Sequence, residues 1–324
     1  MTTIHLDTRL TDAERRERLY AGDIFALPQT PESLAFGAHT WRMICEAFDP
    51  IDPSDAQDAL SVEEFVERVA PLKTTFTHSA ESKRLLREVL RAAGCNLATT
   101  YFDLPKLRIV THSDYLTAGV GYAYSPHRDV WYSAPPAQVN WWVPVREITP
   151  ECALTFHLEY WERPIPNNSD GFNPYQWNSV GRAEAAKHVK SDTRNHPRVT
   201  EDVPPLTDLR VVGAANALLA FSAAQLHSTV PNTSGRTRFS VDFRTIDLDD
   251  LTTRNGARLV DSHCTGTTLR DFLNADDLSP LPEDIIAAYD TESEHQGDLV
   301  YTPTLPAPST VAAPVHTGRP KVRA

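Results

Sequence analysis

Cysteine is scarce in this chain, which has only four in 324 residues. They are far apart and form neither a CxxC pair nor a spacing typical of zinc ligands. These residues are Cys45, Cys95, Cys152 and Cys264. Their spacing excludes a zinc finger and a disulfide-dense secreted scaffold, so we expect buried free thiols in a reducing compartment.

Long hydrophobic runs and positive charge are also lacking. No stretch approaches the ~20 apolar residues of a membrane span, and the first residues have neither the basic start nor the apolar run of a secretory signal. The formal net charge of −12 argues against a general nucleic-acid-binding protein. We therefore expect a cytoplasmic protein that acts on a small molecule, without membrane or nucleic-acid partners.

The most informative residues present are His127, Asp129 and His227. Residues i and i+2 of an extended strand point to the same side, so His127 and Asp129 could bind one metal together. His227 follows the short apolar strand Leu218–Phe221, 98 positions after Asp129. Two neutral imidazoles and one carboxylate on one face of an Fe(II) ion form the facial triad of non-heme oxygenases. The chain is therefore predicted to be an oxygenase.

An arginine eleven residues after His227 suggests a co-substrate. Residues 236–243 alternate strictly, with Phe239, Val241 and Phe243 on the apolar face. The polar face holds Arg236, Arg238, Ser240 and Asp242. A guanidinium binds a carboxylate in bidentate fashion, and a nearby hydroxyl can add a hydrogen bond. The strand predicts a dicarboxylate co-substrate, and alternation leaves open whether Arg236 or Arg238 binds it.

With these motifs the chain resembles the Fe(II)- and 2-oxoglutarate-dependent oxygenases, and among them the phytanoyl-CoA dioxygenase-like family. The resemblance covers about residues 105 to 245, and within this range it rests also on the segments 140–144 and 153–157. It implies a double-stranded β-helix, a jelly-roll or cupin-like barrel, with Fe(II), 2-oxoglutarate and O2 as cofactors. By motif position it implies His127, Asp129 and His227 as iron ligands and Arg238 with Ser240 as the 2-oxoglutarate site. Asn140 and Thr155 are further candidates for positioning 2-oxoglutarate, although ordinary strand residues would look the same.

The reaction implied is hydroxylation of a C–H bond in a small-molecule metabolite, with succinate and CO2 as co-products. Because Asp129 supplies the carboxylate, no position is left for a halide, so hydroxylation is favoured over halogenation; desaturation and ring closure stay open. Only 6 of the 31 basic residues are lysine, a composition typical of GC-rich genomes that favours specialised metabolism. The alternatives are a non-catalytic barrel that binds zinc or nickel and an enzyme of the same fold that works without 2-oxoglutarate. Arg238 with Ser240 argues against both, because neither needs a carboxylate anchor.

One other histidine motif competes for these roles, and the His127-Arg128-Asp129 motif itself has a second possible function. His112-Ser113-Asp114 lies fifteen residues before His127 and has the same His-x-Asp spacing, but Pro126 and the segment 130–132 frame the later motif as a strand end. His-Arg-Asp also opens the catalytic loop of protein kinases. The sequence contains no accompanying Gly-rich loop or Asp-Phe-Gly, which excludes a kinase.

The fold class predicted is mainly β with α decoration. Capping boxes at Thr11–Glu14 and Ser61–Glu64 predict helices in residues 1–104, a scaffold packed on the barrel. Residues 105–250 would form the double-stranded β-helix core, in which neighbours Trp141 and Trp142 face opposite sides. The last parts are a C-terminal extension, 251–301, and a disordered tail, 302–324, rich in Pro, Ala and Thr.

Residues 161–208 are long for a connection between two strands and are rich in aromatics, which is typical of a lid or binding loop. The half from Arg182 to Arg198 is cationic within an acidic protein. We expect either that this side receives an anionic substrate above the iron or that it is a solvated helix with ordinary charges.

Overall fold

The computed structural model describes residues 2–290 except 9, 122, 179–186, 189–190, 193, 195 and 204–208. The predicted tail and most of the cationic half of the insert lie outside these residues. The helices are α1 Asp12–Tyr20, α2 Pro31–Phe48, α3 Ala56–Ala59, α4 Val62–His78, α5 Ala80–Ala92, α6 Pro174–Gln176, α7 Leu248–Thr253 and α8 Glu283–Tyr289. The strands are β1 Ile4–Leu6, β2 Ile24–Leu27, β3 Thr100–Asp103, β4 Lys106–Val110, β5 Val139–Pro144, β6 Leu154–Phe156, β7 Leu209–Val211, β8 Leu218–Ser222, β9 His227–Thr229, β10 Arg238–Asp247 and β11 Phe272–Asn274.

The N-terminal helices begin where their caps predict. Thr11 and Ser61 each accept a hydrogen bond from the backbone amide of the glutamate three residues later, and that glutamate's carboxylate accepts from the cap's own amide. Both capping boxes are confirmed. The N-terminal part is not purely helical, however, because β1 and β2 join the main sheet, with β2 paired to β8. β1 and β2 are three and four residues long, too short for a period-two pattern to show in the sequence.

Two sheets form the body of the protein. The main sheet has the order β1-β2-β8-β5-β10-β3-β11, with β4 also paired to β10, and the small sheet has the order β7-β6-β9. β10 is central, because it pairs antiparallel with β3, β4 and β5. Within the described residues these pairings leave two open sheets and do not close a barrel. A sheet-rich fold with helical decoration is therefore confirmed, whereas the jelly-roll stays a prediction.

One face of the main sheet packs against the helices. The alternate residues Phe239, Val241 and Phe243 of β10 are buried there with apolar side chains of α1, α2, α4 and α5. Trp141 of β5 belongs to the same cluster and stacks on Phe243 with ring centroids 5.9 Å apart. Burial of this apolar surface against four helices holds the sheet rigidly in place.

The opposite face of the main sheet looks toward the small sheet. Trp142 and Phe221 from the main sheet pack with Leu154 and Phe156 from β6 in a second, smaller apolar cluster. Trp141 and Trp142 thus lie on opposite faces, as the sequence predicts. The space beside this second cluster holds the polar side chains described next. No helix among the described residues is long and apolar enough to cross a bilayer.

Candidate metal centre and adjoining cavities

His127, Asp129 and His227 converge at one point. One nitrogen from each histidine and one carboxylate oxygen of Asp129 all lie within 4.8 Å of one another. The Nε2 atoms of His127 and His227 are 3.4 and 4.0 Å from Oδ1 of Asp129. No other group of three or more His, Cys, Asp and Glu ligands suited to a metal ion occurs among the described residues. The set of two imidazoles and one carboxylate fits a single Fe(II) ion with an open face.

Backbone pairing places the three ligands. The amide and carbonyl of His127 exchange two hydrogen bonds of 3.0 Å with those of His227, at the start of β9. Arg128 is extended, with φ −114° and ψ 140°, and Asp129 begins a 3-10 helix, Asp129–Tyr132. The single extended residue between the two ligands is enough to turn both side chains to one side. The predicted strand is thus reduced to one bridged residue and its extended neighbour.

Both imidazoles are held by their second nitrogen. Nδ1 of His127 lies 2.8 Å from the carbonyl oxygen of Ser125, and Nδ1 of His227 lies 3.0 Å from that of Gln225. An Nδ1–H that donates to a carbonyl leaves Nε2 unprotonated, which is the form that binds a metal. Burial and the neighbouring His127 also lower the pKa of His227 to about 3, so this ring is neutral at physiological pH.

Arg244 holds the carboxylate of Asp129. Its Nε and Nη2 atoms are both 3.3 Å from Oδ2 of Asp129, whereas Oδ1 faces the two histidines. Although burial alone would raise the pKa of Asp129, Arg244 and the histidines hold it well below its usual value. Asp129 is therefore ionised, with one oxygen directed to the metal position and the other bound by a guanidinium.

The sequence analysis did not identify Arg244 as a site residue. The available signal was its position on β10, six residues after Arg238 and on the same face. It also forms ion pairs with Asp103 and Asp242, at 3.2 and 3.4 Å, in addition to its contact with Asp129.

Arg238 and Ser240 lie buried on the cavity side of β10. Arg238 donates from Nη1 to the carbonyl of Cys152 at 3.0 Å, and its guanidinium lies over the Trp142 ring at 5.5 Å. Neither Nε of Arg238 nor Oγ of Ser240 has a hydrogen-bond partner among the described residues. Burial lowers the pKa of Arg238 to about 10. A buried guanidinium without a carboxylate is costly unless a ligand supplies one, so these two residues fit the distal carboxylate of 2-oxoglutarate.

Arg236 is excluded from this role by its position. Its side chain is 58% exposed and donates to the carboxylate of Asp55, with Nε 3.0 Å from Oδ1. The turn before β10 leaves Arg236 outside the strand, so the alternation that begins at Arg238 does not reach it. Of the two arginines left open by the sequence, the geometry supports Arg238.

Asn140 and Thr155, the two weaker candidates for positioning 2-oxoglutarate, differ in where they lie relative to the cavities. Asn140 is buried on β5, borders the small cavity described below, and accepts a hydrogen bond of 2.9 Å from the side chain of Gln138. Thr155 lies on β6 between Leu154 and Phe156, which face the main sheet, so strand alternation directs Thr155 to the other side. It borders neither cavity. The geometry gives no support for Thr155 as a 2-oxoglutarate residue.

Two cavities meet at the metal position. The small cavity, about 70 Å³, is bordered by all three triad residues, Arg238 and Trp142. The large cavity, about 590 Å³, is bordered by His127 and Asp129 and also by residues of β3, β4, β11, α4 and the insert. This division provides a smaller compartment for a co-substrate and a larger compartment for a substrate.

The competing motif and the insert can also be placed. His112 contacts Asp58 at 3.5 Å and Ser113 at 3.0 Å, so it belongs to a loop contact away from the triad. The described part of the insert borders the large cavity through Phe172, Pro174, Trp177, Asn178, Arg194 and His196. Arg182 and Lys190, from its cationic half, lie outside the described residues.

No model of a known protein family matches the chain, and no curated protein sequence matches it. Among solved structures, EvdO2 from Micromonospora carbonacea var. aurantiaca complexed with 2-oxoglutarate is 14% identical, covers 74% of this chain and 92% of its own, and has a TM-score of 0.43. The epimerase SnoN in complex with Fe3+, alpha ketoglutarate and nogalamycin RO is 16% identical, with 73% and 85% covered and a TM-score of 0.38. The non-heme monooxygenase ThoJ is 13% identical, with 72% and 76% covered and a TM-score of 0.38. At these TM-scores the similarity assigns no activity to this chain.

Proposed function

We propose that this protein is an Fe(II)- and 2-oxoglutarate-dependent dioxygenase that hydroxylates a C–H bond of a small-molecule metabolite and releases succinate and CO2. We further propose that it belongs to the phytanoyl-CoA dioxygenase-like branch and that its two sheets are those of a double-stranded β-helix. The observation that carries the activity is the position of two buried atoms, Nε of Arg238 and Oγ of Ser240, beside the His127, Asp129 and His227 group; neither atom has a hydrogen-bond partner among the described residues.

The chain's own residues explain most of what this reaction needs. His127 and His227 present unprotonated Nε2 atoms, and Asp129 presents Oδ1, to one metal position. When bound there, iron with 2-oxoglutarate supplies the oxidising chemistry. Arg238 and Ser240 bind the far carboxylate and thereby orient the keto acid toward the triad. The apolar residues Trp142, Leu154 and Phe221 form part of the wall of the small cavity.

The residues on the metal-facing side favour hydroxylation over halogenation. Asp129 fills the position at which a halide would otherwise bind, and the two oxygens of its carboxylate are already committed, one to the metal position and one to Arg244. A purely structural zinc or nickel site would leave the buried charge of Arg238 without a purpose and at a cost in stability.

The test is anaerobic addition of Fe(II) and 2-oxoglutarate to the purified protein. A visible metal-to-ligand charge-transfer band should appear, because chelation of iron by the keto acid requires the triad and the carboxylate anchor together. The Arg238→Ala variant should lose the band at the same 2-oxoglutarate concentration. Arg236→Ala is the matched control and should keep it, since Arg236 is exposed and paired with Asp55. No band in the native protein, or an unchanged band in Arg238→Ala, would contradict the proposal.

A further inference from the structure

The large cavity has an aromatic wall that begins at a triad residue. The ring centroids of His127 and Tyr132 are 5.8 Å apart, and those of Tyr132 and Phe172 are 5.1 Å apart. The wall continues from Phe172 to Trp177, with centroids 6.2 Å apart, and from Trp177 to His196, with centroids 4.7 Å apart. All five rings border the cavity. A continuous wall of this kind suits a flat, apolar body that extends outward from the metal position.

The charges around the same cavity are unbalanced. Three carboxylates border it, those of Asp103, Asp129 and Asp271. Six cationic side chains border it, Lys73, Lys106, Arg108, Arg194, Arg244 and Arg270. Five of these cations have carboxylate partners: Lys106 pairs with Asp103, Arg108 with Asp242, Arg194 with Asp192, Arg244 with Asp129 and Arg270 with Glu283. Lys73 is the sixth.

Lys73 projects from α4 and has no carboxylate partner within the part of the chain that the structure describes. Its ammonium donates to the backbone carbonyl of Val120 at 2.7 Å. Burial lowers the pKa of Lys73 to about 7; Arg108 and Arg194 act in the same direction, and Asp242 opposes them. A desolvated ammonium gains strongly from an anion, because both charges interact in a low dielectric.

We propose that Lys73 binds an anionic group, a carboxylate or a phosphate, on a substrate whose apolar body lies along the aromatic wall. That the bound molecule is a substrate rests on the proposed function, whereas the anion site itself does not. The sequence analysis left open whether the cationic half of the insert receives an anionic substrate or is an ordinary solvated helix. Among the described residues of the insert, Arg194 borders the cavity with a charge, and it is paired with Asp192. Within the described part of the chain, the cation at this cavity that has no carboxylate partner is Lys73 of α4.

The test uses matched naphthalene probes, which combine a flat apolar body with a variable head group. Binding of 2-naphthoate, 2-naphthyl phosphate and the neutral 2-naphthamide is measured by isothermal titration calorimetry without Fe(II) or 2-oxoglutarate, so the result is independent of catalysis. One of the two anions should bind about tenfold more tightly than the amide, the scale of one charge-assisted hydrogen bond. The better anion identifies the head group.

The preference should disappear in Lys73→Met and persist in Lys83→Met, a matched lysine on α5 that borders neither cavity. Circular dichroism and thermal unfolding check that Lys73→Met is folded, and Lys73→Arg should restore the preference if Met disturbs the helix. Lack of preference in the native protein, or a preference that survives Lys73→Met and disappears in Arg238→Ala, would overturn the proposal. The charge-transfer band would be unaffected by that failure, so the two proposals fail separately.

A second readout follows from the ionisation of Lys73. Its pKa is lowered to about 7, so the side chain is charged below that pH and neutral above it. Affinity for 2-naphthoate should therefore fall about tenfold per pH unit above 7 in the native protein. Arginine stays protonated throughout this range, so Lys73→Arg should show a flat profile. A flat profile in the native protein would contradict the assignment to Lys73.

Discussion

The two faces of β10 differ in polarity and in how fully their buried atoms are paired. On the helix side, Phe239, Val241 and Phe243 are at most 1% exposed and lie in a continuous apolar core. On the cavity side, Arg238 and Ser240 are also buried, at 6% and 0% exposure, but hold polar atoms without hydrogen-bond partners among the described residues. The same strand therefore stabilises the protein through one face and carries unsatisfied groups on the other. Such a division is expected where a binding site is maintained at a cost in stability.

The largest effect on stability should come from truncating a side chain on the face of β10 that packs against the helices. Phe243→Ala removes a fully buried ring that stacks on Trp141. We expect the free energy of unfolding, measured by urea denaturation, to fall by about 3–5 kcal/mol. Phe243→Leu is the control and should lose less, because it leaves a smaller cavity. A small loss for alanine would mean that this face is not the main source of stability.

On the cavity side, Arg244→Lys should change metal binding. Lysine keeps the positive charge but cannot place two donors on Oδ2 of Asp129, so the carboxylate loses its fixed orientation. Affinity for Ni(II), measured by calorimetry, should fall about 10–100-fold. Arg16→Lys is the matched control, a half-buried arginine paired with Asp250 that borders neither cavity. Equal losses in both variants would indicate general destabilisation rather than positioning of Asp129.

The smallest effect on stability should come from removing the polar groups of Arg238 and Ser240. Arg238→Met deletes a buried charge that donates to the carbonyl of Cys152, and Ser240→Ala deletes a hydroxyl that has no hydrogen-bond partner among the described residues. Without ligand, we expect the free energy of unfolding to stay within about 0.5 kcal/mol for Ser240→Ala and to be unchanged or higher by about 1 kcal/mol for Arg238→Met. Both variants should bind 2-oxoglutarate more weakly. A clear loss of stability in either would show that the cavity face also serves the fold.

The sequence was most informative where spacing and chemistry coincide. The triad was predictable because only a few arrangements of histidine and carboxylate suit Fe(II), and the structure brings His127, Asp129 and His227 together. The partition of Trp141 and Trp142 followed from strand periodicity alone. The helix starts at Thr11 and Ser61 followed from local hydrogen bonding.

The remaining features depend on contacts that are distant in the sequence. Arg244 reaches Asp129 across 115 positions, and no local pattern relates them. Lys73 lies in a helix whose neighbours Leu72 and Phe76 are buried, and only the packing of α4 beside β4 turns its ammonium into the cavity. Alternation could place Thr155 on a face but could not say which face the cavity occupies.

Arg128, which lies between His127 and Asp129, connects the candidate metal site to a segment that follows β10. Arg128 is 1% exposed, donates to the carbonyl of Ala224 and pairs with Asp261 at 3.1 Å. Asp261 also accepts from the indole of Trp131 and from the amide of Ile165. A fragment that ended after β10 would leave Arg128 as a buried cation without its counter-ion. The segment beyond the last central strand is thus a structural component of the loop that carries His127 and Asp129, and we expect a stable fragment of this protein to extend past Asp261.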